Sequence, residues 1–96
     1  MAYKIHLERR ALVEVDSALE YYSKINSKVL KNFNTDLQKA YKVIAKNPFF
    51  QKRHKEFRVL PLKKYPYVVV FIIDEQNKSI KVFAVFNTNQ NPDKLP

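Results

Sequence analysis

The first apolar pattern in the chain has a period of two. In "YKIHLE", residues 3–8, Tyr3, Ile5 and Leu7 fall on one side and Lys4 and His6 on the other. A strand with one buried face requires this alternation. From about residue 9 the period changes. Ala11, Val15, Ala18, Tyr22 and Ile25 follow at intervals of four, three, four and three, with Leu12 and Leu19 beside them. That is the stripe of an amphipathic helix. Glu14, Asp16, Glu20 and Lys24 lie off the stripe, and Glu20 and Lys24 have the i,i+4 order that favours an ion pair.

Residues 25–28, "INSK", interrupt the pattern. Asn26 suits the left-handed residue that a helix end uses when glycine is lacking, and Ser27 suits the cap of the next helix. Leu30, Phe33, Leu37, Ala40 and Ile44 then repeat the helical spacing until Asn47-Pro48 ends it. So short a break predicts an antiparallel helical hairpin. "FFQKRHKE", residues 49–56, reads as a loop. "FRVLPL", residues 57–62, reads as a strand, with Pro61 marking an edge or an interruption. "YPYVVVFIID", residues 65–74, is apolar on both faces and predicts a central strand. "EQNK", residues 75–78, predicts a hairpin turn with Asn77 at positive φ, and "SIKVFAVFN", residues 79–87, returns as the last strand.

The order β-α-α-β-β-β predicts a two-layer α+β fold: an antiparallel sheet of about four strands with the N-terminal helical hairpin packed on one face. The other face is left to water or to a partner. With 96 residues, the expectation is a single domain spanning residues 1–96.

Composition narrows the chemistry. The chain has no cysteine, which removes disulfides, thiol catalysis and Cys-based zinc sites. It has no glycine, which removes the phosphate-cradling loops that glycine builds. "MAYKIHLERR" shows no signal-peptide pattern, and the longest apolar run, residues 68–73, is far shorter than the about 20 residues of a membrane span. A soluble, cytoplasmic protein is expected. Eighteen basic against nine acidic residues give a net charge of +9, which favours polyanionic partners: nucleic acid, an acidic protein or an anionic surface.

His6 and His54 stand alone, without a second ligand at metal-binding spacing, and no cofactor is expected. The carboxylates are scattered, and no pair is placed for acid–base work. The richest segment runs from Lys46 to Lys64. Lys46, Lys52, Arg53, Lys55, Arg58, Lys63 and Lys64 stand there against one acid, Glu56, with Phe49, Phe50 and Phe57 between them. Such a cluster can meet phosphates while its rings stack on bases; equally, the rings can be core. A second set, Lys28, Lys31, Lys39, Lys42 and Lys46, lies off the apolar stripe of the second helix and reads as a solvated face, with contact to an acidic partner as the alternative.

These elements, in this order, resemble the RelE/ParE superfamily of bacterial type II toxins. The resemblance is carried by "ALVEVDSALEYYSKINSKVLKNFNTDLQKAYKVIAKNP", by Arg58 in the strand that follows, by "KKYPYVVVFII" and by "IKVFAVFNTNQNP". It covers nearly the whole chain and is closer to the ParE-like side. The resemblance implies a growth-inhibiting, plasmid-stabilisation type of toxin neutralised by a cognate antitoxin, an acidic segment wrapped around it. Operator DNA would be met only through the antitoxin complex. RelE-like members cut mRNA on the ribosome, whereas ParE-like members poison DNA gyrase.

The end of the last strand distinguishes the two. Relatives often carry His-Thr-x-Arg-Asn-Pro there, and this chain has Asn87-Thr88-Asn89-Gln90-Asn91-Pro92. Carboxamides hydrogen-bond but neither titrate near neutrality nor carry charge. The expectation is therefore a ParE-like toxin that binds its target, with gyrase the candidate and no nuclease chemistry. Lys55, Arg58, Lys63, Lys64, Asn87 and Gln90 are the candidate contacts to target or phosphate. The alternatives are a ribosome-dependent endoribonuclease drawing on Arg58, Lys55 and Lys63, an inactive member, and a basic nucleic-acid-binding module.

Overall fold

The computed structural model describes residues 3–49, 52–54 and 56–90. The chain runs β1 (Lys4–Leu7), α1 (Arg9–Ser23), α2 (Ser27–Lys46), β2 (Lys52–His54), β3 (Phe57–Pro61), β4 (Tyr67–Asp74) and β5 (Ser79–Asn87). The strands form one sheet in the order β1-β5-β4-β3-β2, and both helices pack on one face of it. The expected α+β layout is present, with the short strand β2 added inside the segment that reads as a loop.

One pairing runs opposite to expectation. β1 lies parallel to β5, from Lys4 opposite Ser79 to Leu7 opposite Val82, so the sheet is mixed. The cause is the path of α1. It continues past the end of β1 instead of doubling back, so that Glu14 reaches the amide of Val85. The return is made by α2, whose Ala45 carbonyl accepts from Tyr3 N at 2.8 Å. The antiparallel run β3–β4–β5 then brings β5 alongside β1 in the same sense. Alternation in a strand reports its buried face but not the direction of its neighbour.

The helical stripes supply half of the core. Ala11, Ala18 and Tyr22 of α1 and Phe33, Leu37, Ala40 and Ile44 of α2 are buried against Tyr67, Val69, Phe71, Ile80, Val82 and Val85. Full burial of a side chain such as Phe33 or Leu37 contributes about 1.5–3 kcal/mol. The stripe fails at its margins, where Leu12 and Ile25 remain 51% exposed.

The interhelical break works differently from the prediction. Asn26 is extended (φ −171°) and caps α2 by accepting from Val29 N through its side chain at 2.8 Å. Ser27 is the first helical residue. α1 ends on bonds from Lys24 N to Tyr21 O and from Ile25 N to Tyr22 O, so its last carbonyls are satisfied without a left-handed residue. In the β4–β5 turn the positive φ (49°) falls on Lys78, not Asn77. Asn77 is held instead by Asp74, whose carboxylate accepts from Asn77 N and Nδ2. Those bonds hold the Asp74 carboxyl below its usual range.

The last feature that positions the site is a β-bulge. Val70 pairs with Ala84 while Phe71 pairs with Val82, which leaves Phe83 as an extra residue in β5. Before the bulge Ile80 and Val82 face the helices, and after it Val85 does. Ala84 and Phe86 turn to the opposite face, where they are buried with Val70 beside Phe57, Val59 and Val68. The second face therefore carries an apolar cluster of its own.

Candidate functional site

Each helix leaves a trough where it meets the sheet, and the two troughs differ in chemistry. The first, of about 440 Å³, lies between α1 and the exit of β5. Asn87, Asn89 and Gln90 line it together with Val13, Tyr21 and Glu14. Asn87 is committed to the turn: its Oδ1 accepts from Asn89 N at 2.8 Å and its carbonyl from Gln90 N at 3.0 Å. Its carboxamide also hydrogen-bonds to the Tyr67 hydroxyl. Glu14 closes the strand edge beside it, Oε1 accepting from Val85 N at 3.0 Å and Oε2 from Arg10 Nε at 3.3 Å.

Behind Asn87 stands a ring cluster. Tyr22 lies 4.8 Å from Phe33, 5.3 Å from Tyr65 and 5.1 Å from Tyr21, centroid to centroid. Burial, with Tyr67 beside it, pushes the Tyr22 hydroxyl up to about 12. Burial raises Tyr67 too, against the opposing pull of hydrogen bonds from Asn87 and Tyr22. Both phenols keep their protons at neutral pH, so this trough offers hydrogen bonds and ring faces, not a base.

The second trough, of about 630 Å³, lies between α2 and β3. Ala40, Val43, Leu60 and Leu62 form its floor, and Lys39, Lys42, Lys63 and Lys64 its rims. It exists because β2 pairs with β3 only at Phe57 and Arg58. The outer side of Val59, Leu60 and Pro61 has no strand neighbour among the described residues, an edge position that proline tolerates. Asp36, on α2, ties the two walls together by accepting from Lys64 N at 3.3 Å.

The sequence-predicted contacts thus fall in separate places. Lys63 and Lys64 share the α2–β3 trough; Asn87 and Gln90 share the α1–β5 trough. Arg58 belongs to neither. It sits opposite Phe71, with its guanidinium 5.7 Å from the centre of the Phe49 ring. Asn87 pairs with Tyr67, four residues along β4 from Phe71 or about 13 Å at the usual rise. Lys55 lies outside the described residues. Sequence reasoning read Lys39 and Lys42 as a solvated face with an acidic partner as the alternative, and did not join them to Lys63 and Lys64, beside which the structure places them. Among the described residues, no group of three or more His, Asp or Glu is placed to hold a metal, and no helix is long and apolar enough to cross a membrane.

A solved structure of the chromosomal ParDE TA system from P. aeruginosa superposes on this chain with a TM-score of 0.72, covering 90% of this chain and 96% of that one, at 18% identity. The two chains share one fold. No protein-family model and no curated protein matches the sequence.

Proposed function

We propose that this chain is the toxin of a type II toxin–antitoxin pair, of the ParE-like kind. It acts in the cytoplasm by binding a cellular target, with DNA gyrase the candidate, and a cognate acidic antitoxin masks it. The observation that carries the reading is the likeness to a ParDE structure along nearly the full length of both chains. The charge of +9 supports an acidic partner, because opposite charges steer association from a distance. The commitment of Asn87 to its turn and to Tyr67 supports target binding over RNA cleavage. At that position the chain has a hydrogen-bonded amide, where cleavage calls for a group that moves a proton or neutralises a phosphorane.

Induced expression tests this directly. The expected result is growth arrest, relieved by co-expression of the product of the adjoining reading frame, together with loss of gyrase supercoiling in the purified system. Unimpaired growth on induction overturns the proposal. The lysine-rimmed trough favours the second reading, a ribosome-dependent endoribonuclease using Arg58, Lys63 and Lys64. Primer extension on translated mRNA separates the two: cuts abolished by Arg58→Ala would replace the first reading with the second.

A further inference from the structure

Charge is divided unequally between the two helices. Along α1 and its C-cap, Arg9, Arg10 and Lys24 are balanced by Glu14, Asp16 and Glu20. α2 carries Lys28, Lys31, Lys39, Lys42 and Lys46 against one acid, Asp36. At about 100° per residue, the five lysines and Thr35 occupy an arc of about 80° that holds no other residue of α2. That arc lies opposite the buried Phe33, Leu37, Ala40 and Ile44. All six of its residues are exposed, and none of the lysines forms an ion pair among the described residues. The result is an outward ridge of like charge, about 27 Å long from Lys28 to Lys46.

Helix stability does not account for this pattern. Lys28 and Lys31 stand near the positive end of the helix dipole, and the first turn has no acid to offset them. Lys28 and Lys31, Lys39 and Lys42, and Lys42 and Lys46 repel at the spacings where opposite charges would attract. A polyanion laid along the ridge removes both costs.

We propose that the outward ridge of α2 binds the phosphate backbones of duplex DNA without regard to sequence. The ridge has no apolar or aromatic residue, so it neither seats an amphipathic peptide nor stacks the bases of a single strand. Its charges fall in two groups, Lys28 with Lys31, and Lys39 with Lys42 and Lys46. The gap from Lys31 to Lys39 is about 12 Å along the helix, close to the width of the DNA major groove, so each group meets one of the backbones that flank it. The site goes beyond the toxin reading and does not require it. It adds a direct hold on DNA to a chain for which the resemblance implies operator DNA only through the antitoxin complex.

The test is fluorescence anisotropy with the full chain and two duplexes of about 20 base pairs and unrelated sequence, at several salt concentrations. Five lysine–phosphate contacts give an expected slope of about −4.5 for log affinity against log salt. Lys28→Gln/Lys31→Gln and Lys42→Gln/Lys46→Gln should each flatten that slope by about 2 and weaken both duplexes by about tenfold or more at moderate salt. Lys4→Gln/Lys81→Gln removes the same charge from exposed sheet positions, and should change the slope by less than about 0.5. Circular dichroism confirms that the variants fold.

Absence of duplex binding at low salt overturns the proposal. So do equal effects of the ridge and control pairs, which reduce the binding to net charge. Tighter binding of a single strand than of the duplex overturns it in favour of a single-stranded site. Ridge-dependent affinity for polyglutamate with none for the duplex makes the ridge an acidic-protein surface instead. Growth arrest by a chain that binds no duplex leaves the toxin reading standing alone, whereas ridge-dependent duplex binding without growth arrest upholds this site and removes that reading.

Discussion

The two troughs have the same construction and opposite chemistry. In each, a helix lies along the sheet and leaves a channel beside it. On the α2 side the channel is walled by Lys39, Lys42, Lys63 and Lys64. On the α1 side it is walled by Asn87, Asn89, Gln90 and tyrosines, and the one charged residue among its described lining, Glu14, is tied to Val85 and Arg10. Ammonium groups are felt over about 10 Å at moderate salt and lose that reach as salt rises. Amides and phenols act only at contact and discriminate by geometry. The molecule therefore separates a surface suited to gathering a partner from one suited to recognising a shape.

The comparison breaks most completely at Phe33. This α2 residue is fully buried and meets Tyr22, Tyr65 and Tyr67, which join α2 to the wall of the other trough. Phe33→Ala should cost about 3–5 kcal/mol, enough to unfold much of a marginally stable domain, as measured by urea denaturation. Next in size is the effect of charge on partner binding. Lys63→Glu/Lys64→Glu should weaken an acidic partner by about 2 kcal/mol at low salt and by less at high salt. Asn87→Ala/Gln90→Ala should leave the salt dependence of the same binding unchanged in a titration series.

Alkali probes the ring cluster. Up to about pH 10 the Tyr22 hydroxyl is protonated whether the chain is folded or not, so stability is unaffected there. Between 10.0 and about 12 the unfolded chain releases that proton and the folded chain keeps it. Stability should therefore fall as the pH rises through this window, and Tyr22→Phe should remove part of the fall in denaturation curves.

Two smaller effects sharpen the contrast. Asn87→Ala removes the turn bond to Asn89 N and the bond to Tyr67, and should cost about 1 kcal/mol in thermal unfolding. Tyr41 of α2 buries a hydroxyl that has no hydrogen-bond partner among the described residues. Tyr41→Phe should leave stability unchanged or raise it by about 1 kcal/mol.

Local periodicity made much of this legible. The intervals from Ala11 to Tyr22 and from Leu30 to Ile44 identified the buried helical faces, because burial selects apolar residues at the helix's own period. The run at residues 65–74 identified the strand buried on both faces. What periodicity does not encode is pairing: nothing in "YKIHLE" states that β1 lies parallel to β5, and three residues of β2 are too few to show a period. The site was legible as residue types but not as places. Lys63 and Lys64 were singled out without Lys39 and Lys42, because the four are united only by the packing of α2 beside β3. Asn87 was singled out for the charge it lacks; its bonds to Asn89 and Tyr67 needed the turn to be seen.

The extra residue at Phe83 has a consequence for how such a chain can change. Strict alternation from Ile80 would place Ala84 and Phe86 under the helices and send Val85 and Asn87 to the far side. The bulge reverses that assignment, and removal of the Phe83 codon would straighten the strand while Ala84, Val85, Phe86 and Asn87 each kept its present side. Only a strand that flattened with Phe83 still in it would bring a phenylalanine to the polar mouth beside Tyr67.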